Sequence, residues 1–323
     1  MSKLQPTYGR FKVRGIVTGL DKDYAWVDSV SESSGRPYRI IRFNVKTSET
    51  NQVQVELVGS IQDNVYFYNR EEKKSIAVNW DSRYEERDDG YELIGVQVGL
   101  EKDDKGKNII KTLVPYDATK EIYNNLKDGD SVYIAGRLVY SEYETNNGNK
   151  ISQVRNEIQR IYFTTDPVDF NAENFKEIND FKQDIIVVGS EYDKELNKLF
   201  VNTYIVTNKE GDFVPYQFTI DGEDKKLHTL LKNIKALPFG SLLNVEGKIL
   251  NKVETVKIED DMIEEDIWGD DESSFDNNVG SRIVKEMTIR RAIGSSLQKA
   301  LYSEEDFIKD DGWIDIDDED LPF

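Results

Sequence analysis

The stretch Leu126-Lys127-Asp128-Gly129-Asp130-Ser131-Val132-Tyr133-Ile134-Ala135-Gly136-Arg137-Leu138-Val139 recurs, without a gap and at an offset of 111, as Leu237-Pro238-Phe239-Gly240-Ser241-Leu242-Leu243-Asn244-Val245-Glu246-Gly247-Lys248-Ile249-Leu250. Both copies read as the end of a helix, a tight turn, and a strand of alternating apolar residues that carries a glycine followed by a cation. Upstream of each copy lies a helical stretch. Residues 117–126 place Ile122, Tyr123 and Leu126 at helical spacing, and residues 227–234 form its counterpart. Residues 185–189, Ile-Ile-Val-Val-Gly, mirror a first strand that also carries a glycine, Gly15. One structural unit present twice is the simplest account of this pattern.

Strand signals surround the first copy. Residues 11–17, 38–45, 52–58 and 132–139 are short, rich in β-branched and aromatic residues, and bounded by polar turns. Glycine weakens a strand unless the backbone must bend or approach another closely, and small barrels use it in that way to turn corners. Three strands, a helix and two further strands are the order of an OB-fold, a five-stranded barrel that binds oligonucleotides across its strand 2–3 face and two loops. The predicted fold is therefore mostly β, with two OB-folds in tandem and a disordered acidic tail. The first barrel spans residues 1–165 and carries extra material over 62–112, in which 65–68 and 75–80 read as a hairpin. A connector covers 166–181. The second barrel spans 182–292 with an acidic loop over 254–282, and 293–323 is a flexible tail.

Charge and composition bound the function. The 323 residues are 38% hydrophobic, enough for real cores, and contain no cysteine, which excludes disulfides, thiolate-held zinc, iron–sulfur clusters and thiol nucleophiles. No run approaches the roughly 20 apolar residues of a membrane helix, and the N-terminus lacks a signal-peptide core, so a cytoplasmic location without membrane contact is the expectation. A net charge of −20 argues at first against nucleic acid, because phosphate contacts come from Lys and Arg. Two segments account for it: residues 254–276 carry a net −10 and residues 304–323 a net −9, leaving about −1 for everything else. A near-neutral body accommodates a basic groove.

Single-stranded nucleic acid is held by cations that follow the phosphates and by aromatic rings on which bases stack. The first copy interleaves both. By period-two alternation, Arg36, Tyr38, Arg42 and Lys46 share one face of the second strand, while Arg39, Ile41, Phe43 and Val45 share the other. Tyr24 and Trp26 in the loop after the first strand are further stacking candidates, as are Tyr66, Tyr68 and Trp80 in the inserted hairpin with Lys73 and Lys74 beside them. Arg10, Lys12 and Arg14 alternate on the first strand and are candidates to line the same groove. The second copy, with Tyr216 and Phe218, has fewer cations around its rings, so the first barrel is expected to carry more of the affinity. No Walker-type or Gly-x-Ser-x-Gly motif occurs, the single His228 cannot build a zinc site, and the acids of 260–271 form one continuous polar run unsuited to fixing a catalytic metal. No enzymatic activity, cofactor or metal is expected.

The chain ends Asp317-Asp318-Glu319-Asp320-Leu321-Pro322-Phe323. A solvated acidic tail has no physical need for an apolar tip. The ending resembles that of bacterial single-stranded-DNA-binding proteins, and the resemblance implies a body that coats single-stranded DNA in replication, recombination and repair. It also implies a tip, here Asp317, Asp318, Asp320, Leu321, Pro322 and Phe323, that docks on replication and recombination enzymes. The pattern departs from the usual single barrel followed by a long Gly/Gln/Pro-rich linker, so the family's tetramer does not carry over, although a homo-oligomer is compatible with it. A rearranged relative rich in Lys, Asn and Glu is what a bacteriophage would be expected to encode. The rival readings are a β-rich interaction or structural protein without DNA affinity, and a metal-dependent nuclease or annealing recombinase.

Overall fold

A computed structural model describes residues 3–87, 90–145, 147–257 and 279–308. The first copy contains β1 (Gly9–Thr18), β2 (Trp26–Val30), β3 (Pro37–Lys46), β4 (Gln52–Ser60), β5 (Asn64–Asn69), β6 (Lys74–Asn79), β7 (Tyr91–Leu93), β8 (Val96–Lys102), β9 (Asn108–Leu113), α1 (Pro115–Asn125), β10 (Ser131–Glu144) and β11 (Lys150–Phe163). The second contains β12 (Ile178–Asp193), β13 (Lys198–Val206), β14 (Phe213–Asp221), α2 (His228–Lys235), β15 (Ser241–Lys257) and β16 (Val279–Gln298).

Each copy closes into a five-stranded barrel of the OB type. In the first, β1 pairs with β3, β3 with β4, β4 with β11, β11 with β10 and β10 back with β1; the second repeats this with β12, β13, β14, β16 and β15. The closing pair is parallel in both, at Glu56↔Glu157 and Thr219↔Thr288. Strand alternation fills the interior, as where Ile41, Phe43 and Val45 of β3 point inward and are fully buried. Pro115, with its fixed φ and missing N–H, opens α1, which turns Ala118, Thr119 and Ile122 onto the barrel.

The two barrels are one continuous sheet, because β1 pairs antiparallel with β12 and places Phe11 opposite Phe181. These phenylalanines are equivalent positions: Phe11 pairs with Gly136 on its other side, and Phe181 pairs with Gly247. A pseudo-two-fold axis therefore passes through the seam. The offset between copies is 170 at this strand (11 to 181) but 111 at the repeat (136 to 247). The first copy thus holds 59 more residues between its first and fourth strands. They include the small sheet β6-β5-β7, which contains the expected hairpin, and the β8–β9 hairpin that lies parallel against β11.

Four expectations change. The connector ends before 181, since β12 starts at Ile178 and pairs there with Arg14. Gly189 does not stand where Gly15 does: Gly15 pairs with Val132, whereas the equivalent Leu243 pairs with Ile185, and Gly189 sits at a bulge between β12 and β13. The acidic loop is shorter at both ends, since β15 runs to Lys257 and pairs there with Val279; residues 258–278 lie outside the described residues. The body does not end at 292. β16 continues to Gln298, and Tyr302 and Phe307 bury against Leu4, Ile186 and Val206, with Phe307 packed 4.7 Å from the ring of Tyr204. The apolar ends of β12 and β13 need a cover, and residues 301–307, tied by Asp306 to Lys3 at 2.8 Å, provide it.

A Cβ on Gly136 would meet the Glu157 carbonyl oxygen and the ring of Phe11, and one on Gly247 would meet the Thr288 carbonyl oxygen and the ring of Phe181, whereas Gly189 has open space around it. Gly136→Ala and Gly247→Ala should each destabilise the protein by about 1–3 kcal/mol in denaturant titrations, and Gly189→Ala should stay within about 0.5 kcal/mol of the parent.

Candidate nucleic-acid interface

Each barrel extends the hairpin between its fourth and fifth strands over the strand 2–3 face of the other. The hairpin β15–β16 reaches the first barrel, where Asn51 and Lys252 form an isolated bridge and the Asn51 side chain donates to the Ile249 carbonyl at 3.2 Å and accepts from the Asn251 amide at 2.7 Å. The hairpin β10–β11 reaches the second barrel, where the Tyr140 ring packs edge-on against Tyr216 at 5.0 Å and its hydroxyl donates to the Met287 sulfur.

Two grooves result. In the first, Arg42, Asn44, Gln54 and Glu56 of β3–β4 face Asn251 and Lys285 of the other barrel, with Tyr24 from the β1–β2 loop at its edge. In the second, Asn202, Pro215 and Gln217 of β13–β14 face Tyr143 and Ile151 of the β10–β11 hairpin. Gln153, Val154, Tyr216 and Lys285 line both, so the grooves meet and form one path across the pseudo-two-fold axis. Their cavities measure about 650 and 740 Å³.

The electrostatics of the first groove turn on one buried carboxylate. Glu56 accepts from Arg42 at 2.9 Å and from Arg155 at 3.0 Å, which holds two guanidiniums side by side with one negative charge between them. The pair retains a net positive charge, and both guanidiniums stay partly exposed in fixed positions suited to phosphate oxygens. Where the grooves meet, burial pushes the Tyr216 hydroxyl up to about 12 and the Tyr140 hydroxyl well above its ordinary value. Both rings are neutral at physiological pH and form an apolar wall.

Several expected residues lie on this path and others do not. The parity read for β3 holds, with Tyr38, Arg42 and Lys46 on the outer face. Arg42 and the exposed Tyr24 line the groove. Trp26 begins β2 rather than lying in the loop, and one face of its ring is stacked on Tyr123 at 4.5 Å. Arg36 is tied to Asp63 at 2.7 Å and Lys46 to Glu49 at 2.9 Å. Tyr66 and Tyr68 are exposed, but on the separate sheet β6-β5-β7, with Lys73 in its turn, Lys74 at its edge and neither ring in the groove. Trp80 is held edge-on by Tyr116 and covered by Arg83 at 4.5 Å. Phe218 is core. Arg10, Lys12 and Arg14 do not line this groove; they face outward on β1, with Arg10 and Lys12 over the seam and Arg14 beside Tyr133 and Phe175. The tip, Asp317 to Phe323, lies outside the described residues.

Arg155, Tyr143, Ile151 and Lys285 line the grooves although no local motif marks them. Their one sequence signal is position in the hairpin between the fourth and fifth strands, and which barrel such a hairpin covers depends on the seam.

Residues 69–316 match the family model described as YorF. No curated protein matches. Among solved structures, a deletion mutant of the single-stranded DNA binding protein from Thermus aquaticus superposes with a TM-score of 0.41 at 13% identity, covering 93% of this chain and 98% of that one. A small single-stranded DNA-binding protein from Streptomyces coelicolor superposes with a TM-score of 0.20 at 10% identity, covering 48% of this chain and 93% of that one.

The raised tyrosines carry a pH prediction. A hydroxyl whose folded value lies near 12 and whose unfolded value is about 10 binds more protons folded than unfolded between those limits, so stability falls as pH rises through that window. Unfolding free energy measured in denaturant should decline between pH about 10 and about 12, and Tyr216→Phe should make that decline shallower.

Proposed function

The chain belongs to the YorF family, and we propose that it binds single-stranded DNA along the path formed by its two grooves, coats it during replication, recombination or repair, and catalyses no reaction. The observation that carries this reading is the continuity of the two strand 2–3 faces through Gln153, Val154, Tyr216 and Lys285. An extended strand needs an elongated surface that alternates cations for phosphates with rings and apolar side chains for bases. Arg42 and Arg155 supply the first, and the exposed Tyr24 and Tyr143 the second. In the same reading the terminal Leu321-Pro322-Phe323, preceded by Asp317, Asp318 and Asp320, docks on a basic-rimmed apolar pocket of partner replication or recombination proteins. The acids before it act as a tethered competitor for the groove at low salt.

Labelled oligo(dT) titrated at several salt concentrations tests the body. The expected outcome is sub-micromolar binding that weakens steeply with salt and leaves the oligonucleotide intact; absence of binding at low salt, or Mg²⁺-dependent cleavage, defeats the reading. Tyr24→Ala and Tyr143→Ala should each cost about 1–3 kcal/mol of binding, the value of one stacked base, while thermal stability is unchanged. Deleting Leu321 to Phe323 should abolish pull-down of replication enzymes and leave DNA affinity equal or slightly higher. Loss of DNA binding on that deletion would contradict the assignment of the tip.

A further inference from the structure

The described residues also carry a basic surface outside the grooves. It lies on the outer face of the six strands that meet at the seam, β11-β10-β1-β12-β15-β16. Directly opposed residues of neighbouring strands share a face, and two rows of them cross this sheet. One runs Arg160↔Ala135↔Lys12↔Asp180↔Lys248↔Thr288. The other runs Glu157↔Arg137↔Arg10↔Lys182↔Glu246↔Arg291. The pseudo-two-fold axis exchanges the rows, and three exchanged pairs are cationic on both sides: Lys12 with Lys182, Arg137 with Lys248, and Arg160 with Arg291. Arg10, Arg160 and Arg291 are exposed, and neither Arg10 nor Arg160 has an ion-pair partner among the described residues.

We infer that this seam surface is a second phosphate-binding track, which takes the backbone of a nucleic-acid strand that has left the grooves. Three observations favour that occupant. The surface is continuous with the groove, since Glu157 pairs with Glu56, and Glu56 with Arg42, carrying the second row on to the groove cations. Six strands at about 4.8 Å spacing make a row roughly 24 Å long, suited to an extended polyanion. The rings on this face do not gather into an apolar anchor of the kind that dominates protein recognition: Tyr133 and Tyr162 are only partly exposed, and the exposed Tyr8 stands at the opposite end of β1, beside Asp184. A second copy laid on the same face would bring like charges together.

The inference rests on the proposed DNA binding, and probes of two lengths separate their failures. An OB-fold occupies about 4–16 nucleotides, so an oligo(dT) of about 12 nucleotides fits within the grooves and one of about 60 extends beyond them. In the full chain, Arg10→Ala, Arg160→Ala and Arg291→Ala together should leave affinity for the short probe unchanged. The salt slope for the long probe should fall by about 0.7 per lost contact, near 2 for three, with at least a tenfold loss of affinity at moderate salt. The same positions changed to Lys should retain the slope, and neutralising three exposed lysines elsewhere, Lys194, Lys209 and Lys235, should not lower it. An unchanged slope for the long probe, an equal loss on both probes, or a changed oligomeric state by light scattering overturns the inference. So does release of a synthetic peptide of residues 304–323 with the slope unaltered, which would assign the surface to an acidic protein segment. Failure of the unaltered chain to bind the short probe defeats the DNA reading itself, and the track with it.

Discussion

The pairing of β1 with β12 is the constraint on which the rest of this structure depends. A barrel strand has two edges. β1 uses one for β10, and its N-terminal half leaves the other free until it bends at Gly15 to reach β3. That free half pairs with the same half of β12, which removes two open edges at once. Phe11 and Phe181 meet across the junction beneath Gly136 and Gly247, so each phenylalanine fills the space that its partner glycine leaves. With the seam fixed, the relative orientation of the barrels is no longer free, and the long fourth and fifth strands of each must pass over the other.

Buried polar groups specify that orientation further. The turn after β3 carries Thr47 and Asn51, both buried, which bond to each other at 2.8 Å and to Glu177 of the connector at 2.6 and 3.1 Å. The Ile249 carbonyl of β15 accepts from both Asn51 and Asn179. An amide buried without its partners costs more than a hydrogen bond contributes, so a shifted approach of the second barrel would leave this set unsatisfied. The grooves inherit this fixed geometry, which holds their walls at a constant separation and keeps the Arg42–Glu56–Arg155 clamp aligned with the path.

Much of the fold was legible in the chain. Alternation identified β3 and its inward residues, the 111-residue repeat identified the helix and fourth strand of both barrels, and the separation of charge located the acidity in two segments of an otherwise near-neutral chain. The candidate site was legible only in part. Arg42 and Tyr24, both expected to contact nucleic acid, line one groove, whereas Trp26, Trp80 and Arg36 satisfy their own protein, through Tyr123, Tyr116 and Asp63. Composition cannot separate a ring that waits for a base from one stacked on a helix, because both need the same side chain on the same strand. The end of the body was misplaced for a similar reason: residues 301–307 look like the start of an acidic tail, and only the uncovered apolar ends of β12 and β13 show why Tyr302 and Phe307 fold back.

What the sequence determined by itself is local and periodic: which residues alternate, where glycine interrupts a strand, that a unit is duplicated, and that the acids are concentrated at two places. Those features arise from steric and hydrophobic rules that act over a few residues. Only the tertiary structure decided that the two barrels share one sheet, that each hairpin lies over the other barrel, and that Arg10, Lys12 and Arg160 join Lys182, Lys248 and Arg291 on one face. These arrangements depend on which free strand edge meets which. Backbone hydrogen bonding along an edge carries no side-chain signature, so the choice between edges appears only when both barrels are packed together.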